Sequence, residues 1–409
     1  MSQEDGVSDV QDRPDVVIVG GGAAGHAAAE TLRREGFGGR VALVHGETGP
    51  AYRRTMVNKA LLQGLLTVEQ ATLPAVEDVE VVHGRAASLN PARSALVLRD
   101  GRELDAAALV VATGAAPRPS PHVREAVPHQ GEVLRGREPG PGRRVVHLHT
   151  APDAVWLRAL LGADLADRTV TVLGAGFIGA ETAAWFAESG ATVHLVARSA
   201  LPLAGSLGSA VAGAVAHLHQ DHLGTHFGRR VEAVREHPGA VSVWLDDATV
   251  LESDVVLVAH GTVPDASWVS TGSGGVVVDD RLAVVAAPGR YAAGSVALHP
   301  GVRGLPYRTD HWDAAAAQGV HVARTVLRDL VGGADPGPYV PGTGFSMSLY
   351  RTQVAGFGVR VPGAVEEHHR LEAGGVLTTF RTPGGDRIAI AGIGAARELY
   401  ALRQDLRQP

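Results

Sequence analysis

Asp15-Val-Val-Ile-Val-Gly20-Gly-Gly22-Ala-Ala24-Gly25 is the stretch that decides the fold. After Asp15, three valines and one isoleucine to Val19 form an apolar run of the kind that fills a parallel strand buried on both faces. Gly20, Gly22 and Gly25 follow in G-x-G-x-x-G spacing, and His26 to Arg34 reads as a helix. A pyrophosphate needs this layout. The first glycine makes the tight turn, the second lets the backbone approach the anion, and the third lets helix and strand pack closely. Gly36 to Gly39 ends the helix and Arg40 to Val44 reads as the second strand. Glu47 comes just after it, where a carboxylate is placed to bind the ribose hydroxyls of an adenosine.

The chain has 409 residues, too many for one core, so two or three domains are expected. A net charge of −6 gives no reason to expect nucleic acid, and no apolar run approaches a membrane helix. The acidic, polar stretch Met1 to Pro14 lacks the features of a signal peptide and reads as a disordered tail, so a cytoplasmic protein is expected. Cysteine is absent. That removes thiol nucleophiles, redox disulfides and cysteine-ligated clusters, so any redox chemistry belongs to a bound cofactor. Of the 37 basic residues, Lys59 is the only lysine. A tight site distinguishes a compact ammonium from the wide arginine fork.

Strands of a small meander are expected between Val79 and Leu104, with Asp100-Gly101 as a hairpin signal. Ala108 to Val111 reads as another buried strand and runs into Ala112-Thr113-Gly114, a turn facing the same crevice. Residues 118–142 are rich in Pro, Gly and Arg and read as a connection. The opening pattern then repeats: Thr169 to Leu173, Gly174-Ala-Gly176-Phe177-Ile178-Gly179, a helix containing Glu181, and a strand from Thr192 to Val196. Two such units point to a flavoenzyme fed by a nicotinamide. The second lacks an acid after its second strand. Ala197 and Arg198 stand there, an arrangement that favours the 2′-phosphate of NADPH over NADH; the plainer alternative is a solvated arginine. His217, His219, His222 and His226 form a histidine-rich stretch, three of which share a face if the helix persists. A solvated helix face is the favoured reading there, and no metal is expected. Asp254 to Ala259 reads as a buried strand ending in His260-Gly261.

On these residues the chain resembles the FAD- and NAD(P)H-dependent ferredoxin reductases of bacterial oxygenases, in the glutathione-reductase-like class. The resemblance runs over nearly the whole chain. It includes both fingerprints, Ala51-Tyr52-Arg53-Arg54…Lys59, Ala112-Thr113-Gly114, Leu148-His149-Thr150, His311-Trp312…Gln318-Gly319 and Asp386-Arg387…Arg397-Glu398. It implies that the Gly20–Gly25 turn, Glu47, Arg54, the Ala112–Gly114 loop, Arg118 and Gly261 serve cofactor binding, with Gly294, His311, Trp312 and Phe345 towards the flavin. It also implies that Lys59 sits near flavin N5, paired with Glu181. Three departures stand out. Ala293-Gly294-Ser295 replaces a segment ending in a carboxylate that binds the ribityl chain; Phe345-Ser346-Met347-Ser348 replaces Trp-Ser-Asp-Gln; and Arg54-Thr-Met-Val-Asn-Lys59 replaces a proline-fixed segment.

The expected architecture is α/β: two Rossmann-like domains and a C-terminal α+β domain. The ranges are 1–117 with 248–330 for FAD, 118–247 for NAD(P)H, and 336–409. The expected activity passes hydride from NADPH or NADH to FAD and electrons on to a ferredoxin, from a monomer or homodimer. Two alternatives stand beside it: a flavin enzyme acting directly on an organic biosynthetic substrate, and a flavin-poor, non-redox binding subunit.

Overall fold

The computed structural model describes residues 15–90, 95–121, 143–270, 272, 274–302, 305–342, 344–372 and 374–406. The expected N-terminal tail and residues 122–142 of the expected connection lie outside them. The chain divides into two compact units. The first is Met1–Tyr52, Thr72–Ala115 and Pro264–Tyr339; the second is Arg53–Ala71, Ala116–Val263 and Val340–Pro409.

The first unit is built on a five-stranded parallel sheet in the order Arg290–Ala292, Ala108–Val111, Val16–Val19, Val41–His45, Val79–His83. Its three central strands are buried throughout, which is why they read as unbroken apolar runs rather than alternating ones. The helices Ala23–Arg34 and Trp312–Val331 lie against each other. They pack tightly at Gly319, where any Cβ would strike the Ala24 carbonyl.

The second unit repeats the plan. Its parallel sheet runs Gly224–Phe227, Thr192–Ala197, Thr169–Leu173, Val255–Val258, Val145–His147. The boundary expected at 248 falls inside this fold. The buried run Val255-Val-Leu-Val258 pairs along Val170–Leu173, so the chain returns to the first unit at Pro264. The C-terminal part is a five-stranded antiparallel sheet, Gly344–Leu349, Thr352–Gly358, Arg387–Ile393, Val376–Arg381, Val365–Arg370, covered by the helix Ala396–Arg403. Among the described residues no helix is long and apolar enough to cross a membrane.

Candidate functional site

In the first unit the sheet delivers its glycine turn at the carboxyl end of the strand Val16–Val19. Gly20 adopts φ +115° and lies against the backbone of Ala112. A Cβ on Gly25 would collide with the Gly20 carbonyl oxygen, whereas a Cβ on Gly22 would meet no atom of the described residues within 4 Å beyond its own chain neighbours. Gly22 also caps the helix Ala23–Arg34, and no side chain caps its free N–H groups. The turn therefore offers open space in front of unsatisfied donors and a positive helix end, which fits a pyrophosphate. Glu47 stands two residues past the strand Val41–His45, and its Oε2 accepts the Tyr52 hydroxyl at 2.8 Å. That bond fixes one carboxylate oxygen.

The remaining first-unit residues line up on neighbouring strand ends. Thr113 donates its hydroxyl to the Asp265 carbonyl, and Asp265 N–H returns a bond to Gly114 O at 2.9 Å. Gly294 has φ +81° and donates its N–H to Gln318 Oε1 at 2.7 Å; Gln318 is 1% exposed. The Ser295 hydroxyl donates to Thr309 O at 3.3 Å, and its carbonyl accepts from Arg308, whose guanidinium also pairs with Asp310 at 2.7 Å. His311 is the N-cap of the helix that Trp312 begins. Burial holds its imidazole below the usual histidine range, opposed by Asp310 and Asp313.

The second unit reproduces the cradle. Gly174 has φ +110° and a Cβ on it would meet the Ala259 carbonyl, one on Gly179 would strike the Gly174 carbonyl, and one on Gly176 would meet no atom of the described residues within 4 Å beyond its own chain neighbours. Gly176 caps the helix Phe177–Glu188, again with no capping side chain. Ile178 faces outwards, 44% exposed. Arg198 is exposed immediately after the strand Thr192–Ala197. Arg118 donates its N–H to Gly261 O at 2.9 Å and its guanidinium to Thr262 O at 3.1 Å, tying the loop after Val255–Val258.

One turn into that helix, Glu181 is held from three directions. Lys59 Nζ lies 3.1 Å from its Oε1, the Ser348 N–H donates to the same oxygen at 3.0 Å, and Asn58 Nδ2 donates to Oε2 at 2.8 Å. The Glu181 side chain is 12% exposed and that of Lys59 39%. A carboxylate with three donors is fixed in orientation. Lys59 lies in a wide helical turn, Val57–Leu61, whose backbone leaves helical geometry at Lys59 itself (φ −121°, ψ −113°). The buried Val57 and Leu61 anchor the turn, and Leu61 O accepts from Arg158 at 3.3 Å. Arg54 donates to His149 O at 2.8 Å, just before the helix Ala151–Leu161, which a Thr150–Asp153 capping box begins. Phe345 packs against Phe177 with ring centroids 4.8 Å apart.

The Lys59–Glu181 pairing expected from the sequence is thus present. Asn58 and the Ser348 N–H are additions that no local pattern announces. The histidine stretch is different. Its helix, Ser209–Gln220, stops before His222, and His226 lies in the strand Gly224–Phe227 with Nε2 3.2 Å from His194 Nδ1. The shared helical face of His219, His222 and His226 therefore does not form: the chain must leave the helix for Gly224 to pair beside His194. Among the described residues no three metal-ligating side chains gather.

Comparison with known proteins bears on this arrangement. The family model of the pyridine nucleotide-disulphide oxidoreductases matches residues 14–319. Putidaredoxin reductase CamA of Pseudomonas putida is 30% identical over 279 residues, 66% of this chain and 62% of that protein. The ferredoxin–NAD(+) reductase component of the biphenyl dioxygenase system of Paraburkholderia xenovorans is 29% identical over 404 residues, 94% of this chain and 90% of its own. The crystal structure of Fdr9 superposes with a TM-score of 0.80 at 28% identity, covering 96% of this chain and 94% of Fdr9. The chain spans 62% of the length of the first of these relatives.

Proposed function

The chain belongs to the pyridine nucleotide-disulphide oxidoreductase family, and from that premise we propose that it is an FAD-dependent NAD(P)H oxidoreductase delivering electrons to a ferredoxin-type partner. The observation that carries the reading is the glycine cradle built twice, once in each unit, with an open second glycine and an uncapped helix end. The disulphide half of the family's name has no counterpart here, since the chain has no cysteine. When bound, the flavin supplies the redox chemistry, taking a hydride from the reduced nicotinamide and releasing electrons singly. The protein's own residues bind and orient. Gly20, Gly22, Ala24, Gly25, Glu47 and Ala112–Gly114 hold the adenosine diphosphate of FAD, and Ser295 faces its ribityl chain. Gly174, Gly176, Phe177, Ile178, Gly179 and Arg198 hold the nicotinamide dinucleotide. Lys59, steadied by Glu181, presents a fixed ammonium. The ferredoxin partner draws its support from relatives named for ferredoxin and putidaredoxin.

The test is direct. Purified protein should show a flavin absorption band, and NADPH-driven cytochrome c reduction should rise on adding a ferredoxin. Protein that takes up no flavin on reconstitution with FAD would remove the reading.

Two consequences are open to measurement. Arg198 places a cation where an acid would select NADH, so NADPH should be preferred. Arg198→Ala should lose a charge-assisted phosphate contact of ~1.5–3 kcal/mol, lowering kcat/KM for NADPH about tenfold or more with little change for NADH. A wild type that favours NADH would make Arg198 a surface residue only; the Paraburkholderia relative is itself named for NAD(+). For FAD, a neutral hydroxyl at Ser295 replaces a charged acceptor at a difference of about 1–2 kcal/mol. FAD should bind non-covalently but loosely, and Ser295→Asp should tighten it roughly five- to thirtyfold in a fluorescence-quenching titration of apoprotein. Equal or weaker binding would mean that the neighbouring Arg308 captures the new carboxylate and that the pocket is built around serine.

A further inference from the structure

The strands Gly344–Leu349 and Thr352–Gly358 pair antiparallel, with Leu349 opposite Thr352. Only Tyr350 and Arg351 make the turn, at φ +48° and +63°. Both are left-handed, a conformation that Asn and Gly adopt cheaply and other residues do not; a two-residue turn of this kind normally selects Asn-Gly. The turn sequence therefore disfavours the hairpin it makes, and something else must hold it.

The Tyr350 side chain does so. Its ring stacks on His222, centroids 4.0 Å apart and planes 18° apart, and meets His219 edge-on at 5.5 Å. Its hydroxyl lies 2.9 Å from His219 Nδ1. His219 is 1% exposed on the helix Ser209–Gln220, and burial, followed by the nearby His222, lowers its pKa to about 4. The partner of the tyrosine is thus a neutral, fixed imidazole at neutral pH. Arg351 adds little, being 96% exposed and 4.0 Å from Glu188.

This anchor has a consequence two residues upstream. Among the described residues Gly344–Leu349 is an outer strand of its sheet, with one side of its backbone unpaired by another strand. On that side the Ser348 N–H donates to Glu181 Oε1, the oxygen that also meets Lys59 Nζ. Met347 and Leu349 are buried at 2% and 0%, which fixes the strand's rotation. Phe345 holds the start of the strand on Phe177 of the helix Phe177–Glu188, and Tyr350 holds its tip. We propose that Tyr350 is a positioning residue for the Lys59–Glu181 pair, which by docking the hairpin tip on His219 and His222 sets where the Ser348 N–H meets Glu181. The proposal rests on the reading of Lys59 and Glu181 as the working pair.

The experiment separates stability from positioning. The double substitution Tyr350→Asn with Arg351→Gly supplies the favoured turn and removes the anchor. Tyr350→Phe keeps the ring and removes the hydroxyl, Arg351→Gly alone is the control, and Glu181→Gln is the benchmark. Each holoenzyme is melted and then reduced by NADPH in a stopped-flow instrument over a concentration series. We expect the double variant to melt within about 2 °C of wild type or above it, because the turn is relieved. Its limiting rate of flavin reduction should fall roughly three- to tenfold at unchanged apparent Kd for NADPH, because a small displacement costs rate rather than binding. Tyr350→Phe should fall between, and Arg351→Gly should match wild type. A wild-type limiting rate in the double variant, with Glu181→Gln slow, overturns the proposal alone. A fast Glu181→Gln removes the role of the pair, and the proposal with it. If the double variant melts early, Tyr350→Phe decides, since it keeps both turn and stack.

Discussion

Gly25→Ala and Gly179→Ala should each destabilise the protein by about 3 kcal/mol or more, and Gly22→Ala and Gly176→Ala hardly at all. The four glycines occupy matching places; propensity alone would favour alanine at Gly25 and Gly179 and make it slightly unfavourable, by under about 1 kcal/mol, at the N-caps Gly22 and Gly176. Gly25 and Gly179 lie inside helices, where Ala is favoured over Gly by about 1 kcal/mol. Steric exclusion outweighs that gain. A methyl group at Gly25 would enter the carbonyl oxygen of Gly20, and one at Gly179 the carbonyl oxygen of Gly174. Neither oxygen can retreat, because Gly20 and Gly174 are pressed against the backbones of Ala112 and Ala259. Overpacking between backbones has no side chain to absorb it. The melting temperature should drop by roughly 6–12 °C, at 2–4 °C per kcal/mol for units of this size. At Gly22 and Gly176 a methyl group clashes with none of the described residues, so the fold should be little affected and the loss should appear in binding: FAD for Gly22→Ala, the nicotinamide dinucleotide for Gly176→Ala. Thermal melts and titrations of the four variants check this. Unaltered binding in both Gly22→Ala and Gly176→Ala would mean that the open space in front of the helix ends is not where the pyrophosphates lie.

Those four positions also show why the dinucleotide folds were legible in the sequence. The reasons for the glycines are local, within six residues of chain, and the strand feeding the first turn is buried on both faces and so reads as uninterrupted Val and Ile, while the second, Thr-Val-Thr-Val-Leu, keeps only β-branched residues and leucine. The boundary at 248 was not legible for the opposite reason. Val255-Val-Leu-Val258 is as apolar as any strand of either sheet, and only its pairing with Thr169–Leu173 assigns it. The same holds at Glu181. Lys59 could be singled out because it is the only lysine. Asn58 and Ser348 lie 123 and 167 residues from Glu181, and a contact over that distance leaves no periodicity to read. The histidine stretch misled because helical spacing carries no information about where the helix stops; Gln220 and the strand beginning at Gly224 settle that.

Lys59→Ala should leave the fold intact and slow flavin reduction by NADPH on the order of ten- to a hundredfold. Folding should survive because Lys59 is 39% exposed, and its ion pair with Glu181 contributes little to stability at that exposure. Glu181 is better buried, but it keeps the Asn58 amide and the Ser348 N–H when the lysine is gone, so no bare charge is left inside. The rate should suffer because a point charge is lost from a place to which the chain commits its single lysine and a backbone break at φ −121°, ψ −113°. Lys59→Arg should not restore it. The guanidinium is broad and planar, and the donors on both Glu181 oxygens leave it no bidentate seat. Glu181→Gln should slow the same step, because an amide in place of the carboxylate no longer fixes the ammonium. If the two residues act as one unit, the double variant Lys59→Ala with Glu181→Gln should be about as slow as either single variant rather than slower by their product. Stopped-flow reduction of the four proteins gives the comparison directly. A wild-type rate in Lys59→Ala would remove the lysine from the reaction. Multiplicative losses would leave both residues in it as independent contributors and dissolve the pair.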